Sequence, residues 1–481
     1  YSYLAAFINE ARENVTLGSD TVDEFKFIEG DKLDLNVTPT TLPEGGGNYS
    51  QSTTYKASLL ANSTNNSAEE SYYVYFDITE NTLQYIEEGN PEVILSVFQG
   101  ETEITNIDGL TYGTYNGVAG FDITTITGLY TIASDYAITS NSSENATIQD
   151  WTFTLTYLNQ SYDQSANYGN KMNVEIIMSK EAREVSLADL CNGLTLSECI
   201  TTQVYDESNE EATGLYYHDA DLANSAADNS YRYAGANPNN YVCFGSDAAT
   251  CPSANLYRII GVFGNEVKLI KADYTTTSQT GTGGAYYNTY SGAGHSSSYY
   301  KGNQSLSSIG TYYWNPSGSN TWSSSSLTTT NLNNTFLNSF SSTWQNKIAT
   351  HTWYVGGHST SNATPKTFYN AESTGTTWSG KIGLMYVSDY GYAASNSAWT
   401  TNMGSYNSVT SNNWMYMGLY EWTISRNSSG SGSAFIVHNA GRVVNDFVNM
   451  DSDAVRPSFY LNSSVNYVSG SGSSADPIRI S

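Results

Sequence analysis

At 481 residues the chain is long enough for two or three domains. Asp and Glu total 46 against 19 Lys and Arg, a formal net charge of -27, which works against binding nucleic acid or anionic membrane surfaces. Tyrosine (40) far outnumbers phenylalanine (15), a bias that suits pleated, half-wet β surfaces.

The first stretch, from Tyr1 to Gly18, reads as a short amphipathic helix. Leu4, Ile8, Ala11 and Val15 recur at three- and four-residue steps, and Gly18 can stop it. A helix this short is marginal alone, so it must pack on something: its own domain or, as the sharper expectation, a second copy of the chain or an anchoring segment. No signal peptide or C-terminal sorting tail is legible, and Tyr1 is read as a processed or truncated start.

Beyond residues 1–21 the pattern becomes period-two. Residues 24–29, 33–38, 54–60, 72–78, 93–99, 120–126, 130–132, 151–157 and 172–178 read as strands, separated by turn clusters such as Gly45-Gly46-Gly47. Nine strands without helices predict an antiparallel β-sandwich over 22–182, jelly-roll or immunoglobulin-like. Residues 183–236 read as a connector: Ser186 can cap a short helix, and a polar, loop-rich stretch follows. Residues 237–481 form a second domain. It opens with a hairpin, 257–263 and 266–271, around Gly264-Asn265. A Gly/Ser/Tyr-rich insertion runs over 275–322, helical patterns cover 332–340 and 342–348, and short strands and long loops fill the rest.

Four cysteines allow three pairings. Their equal spacing, Cys191 with Cys199 and Cys243 with Cys251, favours two local disulfides and an oxidising, extracellular setting. No apolar run reaches the roughly twenty residues that a membrane span requires. Sequons such as Asn36-Val37-Thr38 are expected by chance in a chain so rich in Asn, Ser and Thr.

Chemistry-bearing motifs are sparse. His218, His295, His351, His358 and His438 fall in no zinc spacing, and neither a nucleophile elbow nor a phosphate loop is present. No catalytic residue and no certain cofactor is therefore assigned. Asn449, Asp451 and Asp453 crowd one loop and are oxygen donors suited to calcium, in competition with a simple Asx turn. Arg456, inside an apolar strand, is expected to be buried and paired with Glu421. Long polar loops dotted with tyrosines signal display, so Tyr286, Tyr287, Tyr290, Tyr299 and Tyr300 are expected on a contact surface.

Two resemblances add to this reading. Residues 151–159 (Trp-Thr-Phe-Thr-Leu-Thr-Tyr-Leu-Asn) and 163–171 resemble the closing strands of jelly-roll surface proteins of the camelysin and biofilm-fibre group. Five blocks of the second half, 241–247 (Tyr-Val-Cys-Phe-Gly-Ser-Asp), 256–263, 382–393, 414–425 and 455–461, resemble an uncharacterised family of extracellular modules from gut Gram-positive bacteria. That resemblance implies a C-type-lectin-like fold, shared with the formylglycine-generating enzymes. Those enzymes use a late cysteine pair for copper, whereas here no cysteine follows Cys251, which argues against the enzymatic branch.

The expected fold is mainly β: a short N-terminal helix, an antiparallel β-sandwich and an α+β C-type-lectin-like head. The expected protein is a non-enzymatic, secreted bacterial cell-surface structural or adhesive component, a repeating filament subunit displaying its head. The alternative is a lectin-like binding module for a glycan or host protein, and an enzyme of the formylglycine-generating fold is the distant third.

Overall fold

The computed structural model describes residues 22–43, 46–183 and 185–481. The chain divides into two compact units, Tyr1–Val185 and Ser186–Ser481. The helix expected from Tyr1 to Gly18, with its contacts to a second copy, lies outside the described residues.

The first unit is built of two antiparallel sheets. Its strands are β1 (Glu24–Ile28), β2 (Leu33–Asn36), β3 (Tyr49–Leu60), β4 (Ala68–Asn81), β5 (Val93–Gln99) and β6 (Thr102–Glu103). They continue with β7 (Tyr112–Tyr115), β8 (Val118–Asp122), β9 (Gly128–Ser140), β10 (Thr147–Tyr157) and β11 (Lys171–Ser179). One sheet runs β1-β3-β10-β5-β8-β7 with β6 on β5, and the other runs β2-β11-β4-β9. Strand β10 shows why these residues choose this arrangement. Trp151, Phe153 and Leu155 point into the core, while Thr152 and Thr154 point away from it. On that second face hydroxyls pair across to β3: Ser50 with Thr156 at 3.1 Å, Ser52 with Thr154 at 2.9 Å and Thr54 with Thr152 at 3.0 Å. A one-residue slip would put these hydroxyls inside and the aromatics outside, so the register is well specified. Phe76 of β4 meets Phe153 at 5.9 Å between ring centres, joining the two sheets. Trp151 Nε1 donates to Tyr72 Oη at 2.8 Å, satisfying its one polar atom in the core.

The second unit starts earlier than the sequence suggested. Residues 186–236, read as a connector, belong to it. Two of its strands, β12 (Leu215–His218) and β13 (Ser230–Tyr233), form the edge of its main sheet. Cys191, Leu196, Cys199 and Ile200 are buried in its core. The sheet continues through β15 (Leu256–Phe263) and β16 (Glu266–Lys271) to the late strand Ser458–Tyr460, and β14 (Tyr241–Cys243) pairs with β15. The expected β15–β16 hairpin is present, and Gly264 supplies its positive φ of 63°. Strands Glu421–Arg426, Ser433–Val437 and Val443–Phe447 make a separate three-stranded sheet. The helical patterns expected over 332–340 and 342–348 appear as a widened helix, Leu327–Phe336, and a single turn, Ser342–Gln345. Both disulfides are local, with Cα separations of 5.1 Å for Cys191–Cys199 and 5.8 Å for Cys243–Cys251.

Candidate functional site

Strand β16 reads Glu-Val-Lys-Leu-Ile-Lys and is buried along nearly its whole length. Lys268 therefore cannot reach water, and its charge must be met inside. Its Nζ lies 2.7 Å from Asp389 Oδ2. Asp389 sits on the helix Val387–Tyr392, whose first turn it caps by accepting from Tyr386 N at 2.9 Å. Its other oxygen accepts from Arg232 Nη1 at 3.3 Å. Arg232, on β13, also reaches Asp228 Oδ2 at 2.9 Å and Ser230 Oγ at 2.9 Å. The floor thus alternates in charge: Asp228, Arg232, Asp389, Lys268.

A fifth group completes it. Glu372 ends the helix Pro365–Glu372 fully enclosed, accepting from Ser388 N at 3.3 Å and from Ser425 Oγ. Burial pushes this carboxyl up to about 7. Burial also lowers Lys268, against the pull of Asp389. For Asp228 burial favours the neutral acid, but Arg232 and the Ser230 bonds outweigh it and hold the carboxyl at about 2.

Above this floor opens a cavity of about 210 Å³. Aromatic rings wall it: Phe263, Tyr354, Tyr369, Tyr386 and Tyr460. Tyr354 stands at the rim, 43% exposed. The His351 ring stacks on Tyr460 at 3.6 Å, with Nδ1 held by Glu266 at 2.6 Å. Small size, aromatic faces and several converging acceptors make a site for one small polar ring or head group. The charged groups are bonded to one another.

The residues singled out from sequence fall elsewhere. Arg456 is buried and paired with Glu421, its Nη2 at 3.0 Å from Oε2, as expected. Of the five tyrosines expected on one contact surface, Tyr287 and Tyr299 are exposed, at 52% and 53%. Tyr290 is fully buried and takes the Tyr420 amide on its hydroxyl at 3.1 Å. Tyr300 turns in to Asp273, and Tyr286 packs against Tyr312 at 5.8 Å. The insertion uses these rings as anchors for its own loops. Asp451 is spent on the loop, its Oδ2 accepting from Phe447 N at 2.8 Å. Asn449 is exposed, and Asp453 is 1% exposed with neither carboxylate oxygen hydrogen-bonded. Burial, then Asp446 and Asp451, push Asp453 well above the usual carboxylate range. Among the described residues no group of three or more His, Cys, Asp or Glu side chains is arranged to hold a metal ion.

Sequence reasoning missed the cavity because its residues come from segments as distant as Asp228 and Tyr460. One local signal was available: a lysine in the middle of Val267-Lys268-Leu269-Ile270 demands a buried partner. No family model matches this chain, and neither does any curated protein or solved structure.

Proposed function

We propose that this chain is a non-enzymatic adhesive protein of the bacterial cell surface, whose second unit is a C-type-lectin-like head that captures a single sugar residue of a glycan in the Tyr354–Tyr369 cavity. The observation that carries this is the cavity itself, aromatic on its walls and lined below by Asp228, Ser230 and Glu372. Aromatic faces stack on the apolar face of a sugar ring, and a partly exposed carboxylate such as Asp228 accepts hydroxyl hydrogen bonds. At about 210 Å³ it is smaller than typical drug-sized pockets and suits one ring. The reading requires no metal ion. Two disulfides are compatible with an extracellular setting, and among the described residues no helix is long and apolar enough to cross a membrane.

A glycan array probed with the full chain, with and without chelator, tests the reading. The expected result is chelator-resistant binding to a subset of terminal sugars, weakened roughly tenfold by Tyr354→Ala, which removes one stacking ring. Binding that is lost with chelator, or that ignores Tyr354→Ala, contradicts it.

A further inference from the structure

Lys268 and Asp389 meet under conditions that favour more than an ion pair. Both side chains are almost fully enclosed, at 0% and 1% exposure, and Nζ stands 2.7 Å from Oδ2. The amine lies among rings, 4.2 Å from the centre of Tyr386, 4.9 Å from Trp353 and 5.1 Å from Tyr460. Burial lowers Lys268, and moving one proton from Nζ to Oδ2 converts the enclosed ion pair into an amine and an acid with no change in the net charge of the core. Glu372 lines the same cavity as Asp389, accepts from the amide of Ser388 immediately before it, and acts electrostatically on Lys268.

We propose that Lys268 and Asp389 condense within the folded chain to a side-chain amide, releasing one water and joining β16 covalently to the helix Val387–Tyr392, with Glu372 carrying the proton. The neutral Nζ attacks Cγ of the protonated Asp389, and the carbonyl electron pair moves to Oδ1. Arg232 Nη1, already 3.3 Å from Oδ1, holds the developing negative charge. Glu372 gives its proton to the hydroxyl at Oδ2, which leaves as water, and takes one back from nitrogen. The carbonyl re-forms, and Glu372 ends as it began. Nothing outside the chain is consumed. Burial holds Glu372 near 7, where it can both give and take a proton at neutral pH. The charge balance also favours the product: the Lys268 and Asp389 charges vanish together, while Arg232 keeps its pair with Asp228.

Intact-mass measurement of the full chain, followed by tryptic mapping, tests this. The expected mass is one water below that of the sequence with both disulfides closed. Trypsin should fail to cut after Lys268, and a branched peptide should hold Lys268 and Asp389 together. The Lys268→Met variant should keep the full mass. The Glu372→Gln variant, with its disulfides closed and its circular dichroism unchanged, should stay largely unjoined. A wild-type chain of full mass that is cut after Lys268 overturns the proposal. So does water loss without the branched peptide, which would mark a succinimide at Asp389 instead. A Glu372→Gln variant that joins as completely as wild type overturns the role given to Glu372.

Discussion

Single charges set inside apolar surroundings define this molecule at the residue scale. Arg456 and Glu421 are both buried, and Arg456 Nη2 also donates to the Met415 carbonyl at 2.5 Å. Removing one partner strands the other, so Arg456→Ala should cost about 3–5 kcal/mol in urea unfolding of the second unit. A loss below about 1 kcal/mol would mean that Glu421 simply takes up a proton. Glu372 carries a pH signature. Its folded value, about 7, lies above that of the unfolded chain, so the unfolded state loses its proton first as pH rises. The native state therefore loses about 2–3 kcal/mol between about pH 4.5 and 7, and Glu372→Gln should flatten that slope. The Arg456 pair was legible in the sequence because a cation in Val455-Arg456-Pro457 has nowhere else to go. Lys268 gave the same signal, but its partner lies more than a hundred residues away, where no local pattern points.

Elements were legible where side chains alternate and obscure where they do not. Strand β10 reads inside-outside from Trp151 to Leu155, and the sequence placed it within a few residues. Strands β12 and β13, Leu-Tyr-Tyr-His and Ser-Tyr-Arg-Tyr, are too short and polar to show a period, and they exist because β15 pairs with β13. The disulfides were legible from spacing alone. Each closes a loop of eight residues' separation, for which chain entropy gives about 2.5 kcal/mol. Cys191 and Cys199 are both fully buried, whereas Cys251 is partly exposed. Mild reductant should open Cys243–Cys251 first, as read by alkylation and peptide mapping; simultaneous opening would show that the second unit unfolds as a whole before either bond is reached.

Over the whole molecule, two separate cores imply two cooperative transitions. Trp151 belongs to the core of the first unit, and Trp314, Trp353 and Trp422 to that of the second. Trp151→Ala should lower one calorimetric transition by several degrees, at a cost of about 3–5 kcal/mol, and leave the other in place. A common shift of both would mean that the units unfold together. The mainly β architecture was visible in period-two runs and turn clusters, but the binding cavity was not, because it exists only once β13, β16 and two helices have converged. The proposed role rests on that cavity. Calorimetric titration of the full chain with the best monosaccharide from the array, in the presence of chelator, is its most direct test. The account predicts saturable one-to-one binding that Tyr354→Ala weakens about tenfold. Heat that appears only when calcium is added, or binding untouched by Tyr354→Ala, would contradict it.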